Sequence, residues 1–216
     1  MTAILLATTN QGKLREFGGL LEPLAVCSPH DLGINIEVEE TGNSFRENAL
    51  LKSRAFADAS RIITLADDSG LEVDALEGAP GVHSARFGGP GLDDTDRCEL
   101  LLEALRGVTE HERRSARFRC CLVAVSVDGR KCEAEGACEG SIAPKGMGSG
   151  GFGYDPVFLV PEFGQTMAQL APEVKGAISH RARAVEAIKP RLIELFPEVA
   201  CPAQNRVQDQ SVSSST

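Results

Sequence analysis

Apolar and polar positions divide the chain into segments of two different periods. Residues 3–8 (AILLAT) form an apolar run of strand length. Behind it, Asn10 can cap a helix in which Leu14, Phe17 and Leu21 recur at helical spacing. Ser44-Phe45-Arg46-Glu47 has the pattern of a capping box. It opens a predicted helix to about Ser60, with Ala49, Leu50, Ser53 and Ala57 on one face. Residues 62–67 and 71–76 read as two further strands, and Ala79-Pro80-Gly81 and Gly88-Gly89-Pro90-Gly91 as loops. Asp94 caps a predicted helix through Leu105. Residues 116–127 form a long β-type run that ends at the turn pair Asp128-Gly129, and residues 131–141 return as its partner. Residues 144–153 are a glycine-rich loop and 157–160 a short strand. Ser179 caps a last helix to about Phe196, with a kink expected at Pro190. Early alternation of helix and strand followed by a hairpin predicts an α/β chain with a mixed sheet. The domain is placed at residues 1–198. The remainder, 199–216, is low in apolar residues and is expected to be a disordered tail.

Composition narrows the function. The chain has 216 residues, of which 42% are hydrophobic and 25% charged, enough to bury a core. A formal net charge of −9 disfavours nucleic acid as the partner, because duplex binding needs a basic footprint. A small phosphorylated ligand stays open, since a cleft can be locally basic. The seven cysteines are odd in number and include no C-x-x-C pair, so small buried thiols in a reducing cytosol are expected. No basic stretch precedes the first apolar run, and no run approaches the length of a membrane span, so neither a signal peptide nor a membrane anchor is expected.

Polar clusters at element ends carry the candidate chemistry. Thr8, Thr9, Asn10, Gln11, Gly12 and Lys13 lie between the first strand and the first helix, where free N–H groups, hydroxyls and a Lys suit an anion. The stretch is not a Walker loop, and a plain helix cap with a surface Lys is the competing reading. Glu39-Glu40-Thr41-Gly42 precedes Asn48 and Lys52, which share a helix face; taken alone this reads as a solvated acidic loop and an ordinary helix surface.

The stretch LADDSG ends an apolar run in adjacent carboxylates, Asp67 and Asp68. On a strand they point to opposite faces, so one serves the structure and the other something that needs negative charge. Such carboxylates suit a hard cation such as Mg²⁺ together with substrate phosphates, or a capped turn. In residues 146–156 the glycines spell G-x-G-x-x-G, but they lead into Phe152-Gly153-Tyr154-Asp155 and a strand rather than a helix, which excludes the dinucleotide fingerprint. An aromatic pair on such a loop suits stacking on a nucleobase. Lys175, His180 and Arg181 gather three potential cations. Two of them sit on a first helical turn, where positive charge is unfavourable for folding.

The phrases TTNQGK, EETG, ENALLKSRA, ADDSGLEVDALEGAPGVHSARF, GGFGYDPVF and SHRARA, in this order and spacing, resemble the inosine triphosphate pyrophosphatase family over about residues 3–195. The resemblance implies a two-lobed α/β fold with a long mixed sheet and a cleft between the lobes, a cytoplasmic homodimer and a Mg²⁺ requirement. It also implies hydrolysis of ITP, dITP and XTP to the monophosphate and pyrophosphate. By the same resemblance, Thr8, Thr9, Asn10, Gln11, Gly12 and Lys13 bind the triphosphate, Glu40 and Asp68 hold the metal, and Asp68 is the general base. Ser69 contacts substrate, and Phe152, Gly153, Tyr154, Asp155, Lys175, His180 and Arg181 form the base and phosphate pocket. Asp67 is then expected to turn away and hold the backbone of a turn. His83 and Phe87 stand where relatives usually carry Tyr. A Maf-type pyrophosphatase and a non-catalytic nucleotide sensor are the competing readings.

Overall fold

The computed structural model describes residues 3–200. The elements are β1 (Ile4–Leu6), α1 (Gln11–Leu21), β2 (Val26–Cys27), α2 (Phe45–Ser60), β3 (Thr64–Val73), α3 (Asp94–Ala104), β4 (Ser115–Val125), β5 (Lys131–Ile142), β6 (Phe158–Val160), β7 (Gln165–Thr166), α4 (Pro172–Ile178) and α5 (His180–Leu195). The strands form one mixed sheet in the order β2-β1-β3-β4-β5-β6-β7. β1 runs parallel to β2 and β3, and every later pairing is antiparallel.

The helix starts follow from their caps. The Asn10 side chain accepts from the Lys13 N–H, Ser44 from Glu47 and Ser179 from Ala182, each satisfying a donor that the first turn leaves free. Two details differ from expectation. Glu47 reaches back to the Asn43 N–H rather than to Ser44, so that capping box is not closed. α3 is capped by Asp93, one residue earlier than expected, in a closed box with Asp96.

The largest correction concerns β3. Residues 62–67 and 71–76 were expected as separate strands with a turn at Ser69-Gly70. They form one strand, because β4 pairs straight through that point, Asp68 opposite Cys121 and Gly70 opposite Arg119. Gly70 serves close approach instead of a turn: a Cβ there would lie 2.5 Å from both the Gly81 carbonyl and Ser84 Oγ. The short strands β2 and β7 and the seven-residue α4 were not expected at all.

α1 and α5 cover one face of the sheet through Phe17, Leu21, Leu65, Leu122, Ile188, Leu192 and Phe196. α2 covers the other through Ala49, Phe56, Ala57, Ala66 and Val123. A second core, built on Leu71, Val73, Leu101, Leu105, Phe118 and Phe158, fills the far end of β3, β4 and β5 under α3. Gly136 lets α5 lie directly on β5, since a Cβ there would meet the His180 carbonyl at 2.2 Å and the Ala184 nitrogen at 2.4 Å. Val199 is buried in the first core, so packed chain continues past residue 198. The rest of the expected tail, from residue 201, lies outside the described residues. Among the described residues no helix is long and apolar enough to cross a membrane.

Candidate active site

β1 pairs with β3 only as far as Leu65, where the Ala7 N–H reaches the Leu65 carbonyl. Among the described residues no strand pairs with that edge of β3 from Asp67 to Gly70. The carboxyl end of β1 and the start of α1 therefore lie beside an open strand edge, the place where open α/β sheets take ligands. Thr9, Asn10 and Gln11 are exposed there, and Thr8 Oγ1 accepts from the Asn10 N–H at 3.2 Å.

Asp67 and Asp68 face opposite sides of the sheet, as alternation requires. On the α1 and α5 side, Asp67 Oδ2 is 2.7 Å from Lys13 Nζ and accepts from Ser69 Oγ at 3.0 Å. Arg181 Nη2 in turn donates to Ser69 Oγ at 3.1 Å. Burial by itself would push the Asp67 carboxyl up, but Lys13, Lys52 and Arg181 override it and hold it down at about 2. Asp67 is thus a permanent counter-charge. It holds side chains and not the backbone of a turn, because the strand continues through it.

Asp68 has the contrary environment. On the α2 side, Asp68 Oδ2 accepts from Asn48 Nδ2 at 3.0 Å, and Oδ1 is 3.5 Å from Lys52 Nζ. Lys52 Nζ also donates to Glu40 Oε1 at 2.6 Å. Burial pushes the Asp68 carboxyl up, and Glu40 adds to the rise against the opposing pull of Lys52. Two adjacent carboxyls are separated in acidity by their surroundings, which leaves Asp68 the better proton acceptor.

Among the described residues no cluster of three or more His, Cys, Asp and Glu side chains is arranged to hold a metal ion. Glu40 and Asp68 are spaced to share one cation, since the Lys52 ammonium bridges them. Two carboxylates gathered round one ammonium fit the habit of Mg²⁺, which takes one or two carboxylates and completes its shell with substrate phosphates and water.

A second cluster lies against α1. Glu16 pairs with both Lys175 (2.6 Å) and Arg181 (3.0 Å), and Lys175 also pairs with Asp155 at 2.8 Å. Both cations stand 4.9 Å from the centre of the Phe152 ring. The ring packs on Gly12, where a Cβ would sit 2.9 Å from Phe152 Cδ1. Gly12, Glu16, Phe152 and Lys175 line a cleft of about 520 Å³.

The Ham1 family matches residues 4–191. The chain belongs to the Ham1 family. It is 50% identical over 185 residues to the dITP/XTP pyrophosphatase of Desulforamulus reducens, covering 85% of this chain and 92% of that one. The Ham1 protein of Staphylococcus aureus superposes with a TM-score of 0.80 at 42% identity, over 89% of this chain and 98% of its own. A HAM1 protein from Coxiella burnetii gives 0.81 at 40% identity, over 90% and 100%. The resemblance carried by the six phrases is borne out, and so is the mixed-sheet α/β fold.

Within this Ham1 chain Lys13 stands with Asp67, Ser69 and Arg181 on one face of β3, Glu40 with Lys52 and Asp68 on the other, and Phe152, Asp155 and Lys175 adjoin Arg181 across Glu16. Three residues sit differently from their expected roles. Tyr154 does not pair with Phe152 as an aromatic platform: it is buried in the second core, where its hydroxyl donates to the Ser84 carbonyl at 2.8 Å. Gly153 contributes backbone only, its N–H donating to Asp94 Oδ2 at 2.7 Å. His180 is not a cation. It is buried, stacked on Phe118 at 4.8 Å, and burial with the Arg181, Lys175 and Lys13 charges holds it neutral, well below its usual pKa. Three neighbours of the site were not expected. Asn48 and Lys52 read as a solvated helix surface until α2 docks on Asp68. Glu16 carries one signal, its position four residues after Gly12 on the same helical face. His83 accepts from Arg86 Nε at 3.2 Å, and Phe87 packs against the second core.

Proposed function

We propose that this chain is a nucleoside triphosphate pyrophosphatase that hydrolyses ITP, dITP and XTP to the monophosphate and pyrophosphate, and so clears non-canonical purines before they enter DNA and RNA. The observation that supports it best is the divided carboxyl pair on β3. Asp67 is locked as a charge partner of Lys13, while Asp68 is raised in pKa beside Glu40, as a general base requires. The Ham1 relatives are named dITP/XTP pyrophosphatases, which supports two of these substrates.

In this reading the phosphates lie across the start of α1, met by the Thr8 and Thr9 hydroxyls and the exposed Asn10 and Gln11 side chains at its N-terminus. Lys13 and Lys52 supply positive charge on the two sides of β3. Asp68 takes the proton of the attacking water as oxygen closes on the α-phosphorus and pyrophosphate departs. Asn48 holds the Asp68 carboxylate in orientation through its amide. Mg²⁺ held by Glu40 and Asp68 would neutralise phosphate charge and stabilise the leaving pyrophosphate. The purine stacks on Phe152, and Lys175 and Arg181 face its 6-oxo group as donors. Adenine presents a 6-amino donor to the same groups, a mismatch that costs about 1–3 kcal/mol, roughly tenfold to over a hundredfold. A cytoplasmic homodimer belongs to the same reading.

The test mixes the protein with ITP, dITP, XTP, GTP and ATP, with and without Mg²⁺, and separates products by ion exchange. IMP and pyrophosphate from ITP, little product from ATP and no turnover without Mg²⁺ are expected. IDP and phosphate would mean the wrong bond. Binding of ITP without turnover would make the chain a nucleotide sensor.

A further inference from the structure

The glycine-rich loop that carries Phe152 is a thin wall. On one side lies the cleft against α1; on the other, between the loop and α3, lies a second cleft of about 580 Å³ lined by Asp94, Cys98, Gly151, Phe152 and Val157. With space on both sides, the contact of the ring with Gly12 does not by itself fix this wall, and its hydrogen bonds share in placing it. Within the loop, Asp155 Oδ2 accepts from the Phe152 N–H at 2.9 Å, and the Gly150 N–H ties the loop to the Ala168 carbonyl, beyond β7, at 3.1 Å.

Lys175 Nζ holds Asp155 Oδ2 from the α1 side at 2.8 Å, and the first two turns of α3 hold the loop from the other side by gripping both backbone groups of Gly153. Asp94 Oδ2 accepts from the Gly153 N–H at 2.7 Å, and Cys98 Sγ donates to the Gly153 carbonyl at 3.5 Å. Burial, with Asp94 and Asp155 nearby, pushes the Cys98 thiol up to about 12, so it keeps the proton it donates. Asp94 is not needed to start its own helix, because Asp93 and Asp96 already close the capping box. Its remaining contact, with Arg97, is long at 4.0 Å. α3 itself is fixed in the second core by Leu101 and Leu105. A rigid helix therefore reaches across an open cleft to hold one peptide next to the ring.

We propose that Asp94 is a positioning residue for Phe152: from the first turn of α3 it holds the Gly153 peptide and so sets where the purine-stacking ring stands. The inference rests on Phe152 contacting the base, as proposed above.

The experiment compares kcat, KM for ITP and Tm for Asp94→Ala, Asp94→Asn, Asp96→Ala and Phe152→Ala. Asp94→Ala should raise KM about fivefold to tenfold, the size of one ordinary intramolecular hydrogen bond, with kcat within about twofold. Asp94→Asn keeps an acceptor oxygen and should bring KM back to within about twofold of the parent. Asp96→Ala should lower Tm by weakening the cap and leave KM unchanged. The chain contains no Trp, so Phe152→Trp places the one Trp at the ring, read selectively by excitation beyond the Tyr band; adding Asp94→Ala should shift its emission to the red as the ring is released. A parental KM in Asp94→Ala, failure of Asp94→Asn to rescue, or an unmoved emission would overturn the inference. An equal KM rise in Asp96→Ala would overturn it too, by showing that only helix fraying matters. If Phe152→Ala leaves KM unchanged, the base-stacking reading itself fails, and the role of Asp94 with it.

Discussion

Lys13 Nζ and Asp67 Oδ2 stand 2.7 Å apart and tie the first turn of α1 to the middle of β3. The carboxylate is buried and the ammonium nearly so. Removing one member leaves an uncompensated charge, which costs about 3 kcal/mol. Asp67→Asn should therefore lower Tm clearly at neutral pH. The acid dependence has a definite sign. The folded pKa, about 2, lies below the unfolded value of 3.8. The contribution, about 2 kcal/mol, is fully present above pH 4 and disappears as pH falls toward 2. Thermal melts of parent and variant should converge at the acid end.

Asp68 should behave in the opposite way. Its folded pKa is raised, so its ionised form is a net cost to the fold at neutral pH. Asp68→Asn should cut kcat by about a thousandfold, within the usual span for a lost general base, while Tm holds or rises. A fall in Tm with most activity kept would make Asp68 a structural residue.

His180 predicts a stability slope near neutrality. Held neutral when folded, it takes up a proton only on unfolding, so its contribution is complete above pH 6.5 and is lost as pH falls below that value. The loss should approach about 1.4 kcal/mol per pH unit. Chemical denaturation from pH 7 to 5 would show it, and His180→Gln should flatten that part of the curve.

Gly12→Ala separates folding from binding. Ala is the better helix former by about 1 kcal/mol, so Tm should hold or rise. The new methyl group meets the Phe152 ring at 2.9 Å and must displace it, so KM for ITP should rise severalfold. An unchanged KM would show that the position of Phe152 has no bearing on binding.

What the sequence disclosed was mostly local. The caps at Asn10, Ser44 and Ser179 and the Asp128-Gly129 hairpin depend on neighbours within a few residues, and each is where it was expected. Ser69-Gly70 misled because a turn signal is local, whereas the strand that overrides it, β4, arrives some fifty residues later. Asn48 and Lys52 looked like solvated surface because nothing in α2 announces that this face will close over a buried carboxylate. Tyr154 and His180 invited roles by residue type that burial then removed. The two-residue β2 and β7 are too short for any period to register.

The open edge of β3 has a consequence for which molecules the site can tell apart. Glu40 and Asp68 lie on one side of the sheet, and Phe152, Lys175 and Arg181 on the other. β3 is an unbroken ladder partner of β4 along its whole length, so this partition has a fixed thickness. In the proposed reaction only a molecule that bends round the edge can hold both sides at once. A triphosphate is long enough to straddle it, and the two grips then reinforce each other as linked sites do. Once the chain is cut, the nucleotide keeps one grip and pyrophosphate the other, and neither retains the benefit of being joined. The sheet would thus work as a ruler that favours the intact substrate over both of its products.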